Sequence, residues 1–264
     1  AVEADCELLP IRGRFDMDSD WRQRPLASQH LHLEAVRRLE LFRLDPPRHT
    51  VAAMWPNGHL EHDPAVPVRI LADLHNHSCL SPCASLELSP ALLARRGRER
   101  GLGLQALTDH NAALNCPAFE DCCRREGIAP LFGIEACSSE EVHVLCLFGS
   151  AGEALGFGEL LRGLLPPLPY DPEKLSDQVV VDADEGILEL PEYYLGAAVG
   201  LGFDGLCAEA ARRGALVVPA HVDRPMFSVS SQLGFLPPGP YAAVESMREP
   251  APELRLGLPV ISCS

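Results

Sequence analysis

Asp73-Leu74-His75-Asn76-His77 closes the apolar run that begins at Val68, and this stretch decides the reading of the fold. A run such as Val68–Leu74 predicts a short buried strand, and side chains two apart on a strand share a face. His75 and His77 are therefore placed to grip one cation, with Asp73 at the same parity. A carboxylate there, or another nearby, would hold a histidine tautomer. The same spacing at His30-Leu31-His32 falls in an amphipathic helical pattern, Gln29 to Phe42. Residues two apart on a helix diverge by about 200°, so those two read as surface histidines.

Downstream, short apolar runs alternate with helices in a βα rhythm. Leu104–Thr108, Pro130–Ile134, Val142–Phe148, Ala215–Pro219, Ala242–Val244 and Pro259–Ser262 bring the predicted strands to seven. Ser89 caps a helix with Pro90 at its first position and Gly101 beyond its end, and Asp204 and Gly214 bracket another. Gln178 to Leu190, apolar runs split by Asp182-Ala183-Asp184-Glu185-Gly186, predicts a small β-hairpin inserted between the fourth and fifth strands.

Ligand-type residues recur where these strands end: Thr108-Asp109-His110-Asn111, Gly133-Ile134-Glu135 and Pro219-Ala220-His221-Val222-Asp223-Arg224. His143 lies within the fourth strand. In a parallel barrel such ends form one rim. Taken singly, each has an ordinary reading: a hydrogen-bonded loop or core histidine, or a solvated carboxylate. Together, five histidines and a glutamate on one rim require a counter-ion, and imidazole with carboxylate suits Zn, Mn or Fe better than Ca or Mg. Six candidate ligands exceed what one open site needs, which predicts more than one ion.

Composition sets limits around this centre. In 264 residues, 22 Lys and Arg stand against 37 Asp and Glu, a net charge of −15, so broad non-specific nucleic-acid binding is excluded. A phosphate-bearing substrate needs local positive charge. With 47% of residues apolar, the chain can bury a large core. The ten cysteines show neither scaffold spacing nor paired CxxC, which predicts a reducing compartment. No apolar run reaches about 18 residues, and Glu3, Asp5 and Glu7 stand where a signal peptide would be basic. The expectation is a cytoplasmic protein with no membrane partner. Residues 1–67, rich in Pro, Arg and Asp, read as an N-terminal extension of unknown role before a domain at 68–264.

In this order and spacing, DLHNHS, TDHN, GIE, EVHVL and PAHVDRP resemble the PHP (polymerase and histidinol phosphatase) family over about residues 68–264. The similarity is strongest to its stand-alone phosphoesterases, whose first motif reads LHxHSxLSPC. The resemblance implies an α/β fold, a distorted seven-stranded (β/α) TIM-like barrel. Two or three divalent transition-metal ions would hydrolyse phosphate esters there through a metal-bound hydroxide. It implies His75, His77, His110, Glu135, His143 and His221 as ligands, Glu135 as the bridge, and Glu135 and His110 as the catalytic residues.

Two departures stand out. Many members carry Asp or His five or six residues after the second histidine of H-x-H, where this chain has Pro82 and Cys83; Cys83 becomes a candidate thiolate ligand, while Cys79 is expected to pack. The family's final Asp-x-His would follow the last strand, where this chain ends at Ser262-Cys263-Ser264, so the domain reads as truncated. Arg224 is the candidate substrate-binding residue, a bidentate contact for phosphate with a surface salt bridge as its ordinary reading. Asp109 and Asp223 are candidates for tuning ligands or for donating a proton to the leaving alkoxide, two roles the sequence does not separate. The expected substrate is a small phosphorylated molecule or the end of a short oligonucleotide. The alternatives are a mononuclear amidohydrolase and a catalytically silent metal-binding module. An amidohydrolase with carbamylated lysine is disfavoured, because the single lysine, Lys174, does not end a barrel strand.

Overall fold

A computed structural model describes residues 71–168, 170–248 and 250–262. The extension at 1–67, the helix expected at Gln29–Phe42, the His30-Leu31-His32 motif and the first residues of the first strand lie outside them. The strands are β1 (Ala72–Asp73), β2 (Leu104–Leu107), β3 (Ala129–Cys137), β4 (His143–Phe148), β5 (Val180–Val181), β6 (Ile187–Glu189), β7 (Leu216–Pro219), β8 (Val244–Ser246) and β9 (Val260–Ser262). The helices are α1 (Pro90–Glu99), α2 (Cys116–Glu126), α3 (Ala151–Arg162), α4 (Pro172–Leu175), α5 (Phe203–Arg212), α6 (Val229–Gln232) and α7 (Pro252–Arg255).

All seven anticipated core strands are present, and so is the hairpin, as β5 and β6. They do not form one closed parallel barrel. The main sheet has five strands in the order β1-β2-β3-β4-β7, with β8 and β9 paired separately and in parallel. The anticipated uniform parallel pairing also fails, because β4 runs antiparallel to both β3 and β7. The cause is the connection. Residues 138–142 form a tight turn, Ser138 N donating to Val142 O and Val142 N to Ser138 Oγ, and so short a link can join only antiparallel neighbours.

Alternation along the strands assigns two buried faces. Val144, Cys146 and Phe148 of β4 face the large core, while Leu145 and Leu147 face a smaller inner cluster with Ala106, Leu131, Leu216 and Val218. A sheet covered on both faces explains why β4 is buried throughout. Phe119 of α2, Phe157 of α3 and Phe203 of α5 fill the outer layer. Parity puts Glu135 with Leu131 and His143 with Leu145 and Leu147, on the inner face.

Helix punctuation agrees with the sequence at α1, where the Ser89 side chain accepts from Leu92 N and Gly101 follows at φ 73°. At α5 the cap differs from expectation. Gly202 is the N-cap residue and Asp204 sits inside the first turn; a remote carboxylate, Glu140, accepts from Phe203 N at 2.8 Å in place of a local cap. Among the described residues no helix is long and apolar enough to cross a membrane.

Candidate metal centre

The strand reversal at β4 builds the site. Because β4 runs backwards, its first residue, His143, pairs with Cys137 at the C-terminal end of β3. β7 reverses again, and Pro219 lies beside Val144, so His221, two residues on, reaches the same rim. His110 follows β2 and bridges in parallel to Glu135. The H-x-H motif lies beyond the end of β1 rather than on it, in a segment pinned by Thr108 N donating to Asn76 O at 2.8 Å.

Five imidazoles converge on Glu135. His143 Nδ1 and His221 Nε2 lie 2.9 and 3.1 Å from its Oε1, with His75 Nε2 at 3.3 Å. His77 Nε2 and His110 Nδ1 each lie 3.2 Å from its Oε2. His75 Nε2 and His77 Nε2 are themselves 3.1 Å apart. Glu135 and His221 are fully buried, and His221 holds φ 29°, a strained conformation for a side chain outside glycine and one that clusters at functional sites.

A second layer of acids fixes the two motif histidines. Both Glu245 oxygens contact His75 Nδ1, at 2.9 and 3.0 Å, and Oε2 also accepts from His221 N. His77 Nδ1 lies 3.1 Å from Ser81 Oγ, which donates to the buried Asp109 at 2.7 Å. Asp109 also accepts from Ser78 N and Ser78 Oγ, and Ser81 Oγ accepts from His110 N. Phe227 stacks on His143 with centroids 4.8 Å apart.

Burial pushes the Glu135 carboxyl up, but the His75 charge and hydrogen bonds from His143, His221 and His75 outweigh it, holding Glu135 well below the usual carboxylate range. His75 is the converse: burial disfavours its charged form, yet Glu135 and Glu245 raise it well above an ordinary imidazole. Burial pushes His110 down to about 3, Glu135 offsetting only part, so its ring is neutral and free to ligate. Burial, with the Glu135 and Asp109 charges, pushes the Cys83 thiol up to about 11.

These residues fit a metal centre. The ring nitrogens of five histidines outnumber the hydrogen-bonding capacity of one carboxylate, and two of them, His110 Nδ1 and His221 Nδ1, are buried without a hydrogen-bond partner. Three overlapping groups place their ligand atoms within 4.8 Å of one another: His75, His77 and Glu135; His110, Glu135 and His143; and His77, Cys83 and His110. Six of the seven residues expected from the sequence to ligate fall in these groups; the seventh, His221, reaches Glu135 Oε1 but joins none of them. Cys79 is buried against Val179 and Val181 and joins no such group among the described residues.

Of the other expected residues, Arg224 is exposed, carries no ion pair among the described residues, and is close enough for its charge to act on the Cys83 thiol. Asp223 turns away, accepting from Met247 N and Arg248 N. Lys174 pairs with Asp171 on the exposed surface at 2.7 Å, remote in role from the centre. Glu245, which contacts His75 and His221, is the member of this cluster that strand-end reading missed. Its signal was a lone carboxylate inside the apolar run Ala242-Ala243-Val244-Glu245.

Comparison with known proteins agrees with this geometry. The sheet and helices are similar in fold to the lesion-specific endonuclease PfuEndoQ from Pyrococcus furiosus, at TM-score 0.51 and 16% identity, covering 74% of this chain and 48% of that one. A protein described as a metal-dependent phosphoesterase from Bifidobacterium adolescentis overlaps at TM-score 0.42 and 18% identity, over 58% of this chain and 68% of that one. This chain thus spans about half the length of the archaeal endonuclease. No curated protein matches it. Residues 73–189, which contain the H-x-H motif, His110, Glu135 and His143, match the PHP domain.

Proposed function

We propose that the chain is a metal-dependent phosphoesterase, and the convergence of five histidines on the buried Glu135 carries the reading. His75, His77, Cys83, His110, Glu135, His143 and His221 would hold two or three divalent ions of the Zn, Mn or Fe type, Glu135 between them. When bound, such ions supply a water of lowered pKa and neutralise charge developing on phosphate oxygens. Glu135 keeps its charge through its imidazole partners and so remains a ligand rather than a proton carrier. Neutral His110 offers a free nitrogen at the same edge. Glu245 and the Ser81–Asp109 pair set which nitrogens of His75 and His77 face inward.

Arg224 is the substrate-binding residue of this reading. Exposed and unpaired among the described residues, it supplies the local positive charge that a −15 chain needs beside a phosphate. The substrate is a small phosphorylated molecule or an oligonucleotide end, the second supported by likeness in fold to a lesion-specific endonuclease. Ala242 N, just before the separate β8–β9 pair, donates to Val217 O of the main sheet, which supports reading the two sheets together as a distorted seven-stranded barrel. All eight described cysteines are free, adjacent Cys122 and Cys123 included, which supports a reducing, cytoplasmic setting.

The test is release of product from a generic phosphate mono- or diester with added Mn2+ or Zn2+. Wild type should turn over and His77→Ala should lose metal-dependent hydrolysis while keeping its circular dichroism spectrum. Wild-type rates in His77→Ala would overturn the assignment, and metal binding without any turnover would leave a silent metal-binding module.

A further inference from the structure

The ligand groups differ in chemistry. Two are built of imidazole and carboxylate alone, whereas the third joins His77, His110 and the sulfur of Cys83. Cys83 is exposed, unlike the other seven described cysteines, all of which are buried. It sits on the turn-rich segment after His77, where Ala84 N donates to Ser81 O. The other two members of its group are fixed from behind. Ser81 occupies His77 Nδ1 and leaves Nε2 for the centre, and Ser81 Oγ also accepts from the His110 backbone N, so one hydroxyl ties the His77 ring to the backbone that carries His110. His110 Nδ1 is buried without a hydrogen-bond partner in the same edge of the site, a polar atom whose burial costs roughly 1–3 kcal/mol unless something satisfies it.

Ligand softness then decides which ion each position accepts. Oxygen-rich sites suit Mn2+ and Mg2+, imidazole suits several transition ions, and thiolate selects Zn2+ and its softer congener Cd2+. We infer that the Cys83 position is a zinc-selective site within a centre whose Glu135 positions accept Mn2+ as well as Zn2+, so that full loading requires a thiophilic ion. This rests on the phosphoesterase reading only in taking Glu135 and its histidines as ligands. It assigns the protein a cation preference that differs from one position to the next.

The experiment uses the whole chain stripped by chelator and titrated with Co2+, whose visible bands report N/O ligation and whose near-ultraviolet charge-transfer band reports a thiolate. Wild type should show both. Cys83→Ser should keep the visible bands and lose the charge-transfer band, and its Zn2+ affinity at that position should fall by more than the roughly tenfold that loss of an outer partner costs. Its Mn2+ affinity should be unchanged. Cys83→Asp should let Mn2+ fill the position. Cobalt bound in wild type with visible bands alone, or a charge-transfer band that survives in Cys83→Ser, would overturn the zinc-selective site while leaving the metal centre standing. No bound cobalt would overturn both, and turnover assays on the Mn2+-loaded protein report separately on the phosphoesterase reading.

Discussion

A histidine that ligates through Nε2 must carry its proton on Nδ1, and buried acids here accept that proton for both members of the H-x-H motif. Glu245 takes His75 directly, and Asp109 takes His77 through Ser81. Replacing Glu245 with Gln keeps the shape but removes the charge, and metal affinity should drop about 10–100-fold with the fold retained, as outer partners of metal histidines generally cost. Calorimetric titration of the stripped protein checks this, and an affinity equal to wild type would return Glu245 to a structural role. Arg224→Ala makes the contrasting prediction. Its loss should raise KM about tenfold or more, the scale of a charge-assisted hydrogen bond, with metal content unchanged; steady-state kinetics beside elemental analysis separates the two. The candidate ligands were legible as strand-end histidines, which the structure brings around Glu135, whereas Glu245 was hidden: the predicted strand stopped at Val244, one residue short of it.

Between elements, the alternating pleat of β3 and β4 aims the site. Residues 131, 133 and 135 of β3 share the inner face, and Gly133 leaves no room there for a side chain. A Cβ there would meet Leu147 Cδ2 at 2.8 Å and Thr108 Cγ2 at 2.9 Å. Gly133→Ala should therefore destabilise by about 1–3 kcal/mol, the range for overpacking a filled core, and chemical denaturation would show it as a lower midpoint at unchanged slope. An unchanged midpoint would mean that the two methyl groups yield freely. Element positions were readable from apolar runs and caps such as Ser89, but direction was not. Periodicity is blind to whether a strand runs up or down, and only the short 138–142 turn carried that information. The error was harmless for the ligands: an antiparallel β4 brings its first residue to the rim, so His143 arrives where a parallel strand would have delivered its last.

For the molecule as a whole, the centre is a concentration of charge inside a packed double layer. Glu135, Glu245 and Asp109 are buried together with His110, His143 and His221, with His75 and His77 half-buried beside them, and burial opposes the charged form of each acid. The sheet holds these groups in place whether or not cations balance them, because the strands that carry them are anchored by the apolar faces of β3, β4 and β7. Ions that bind this arrangement and not the unfolded chain must then stabilise the fold by mass action, about 2.7 kcal/mol for one site at a hundred times its dissociation constant. For a domain of this size that raises the melting temperature by roughly 5–10 °C. Differential scanning fluorimetry in chelator against added Zn2+ measures it. The rise should shrink in Glu135→Gln, because each of the two Glu135 ligand groups loses its only carboxylate, while the Cys83 group keeps its ligands. Equal melting of the wild type with and without metal would show that the five imidazoles are held by hydrogen bonding alone.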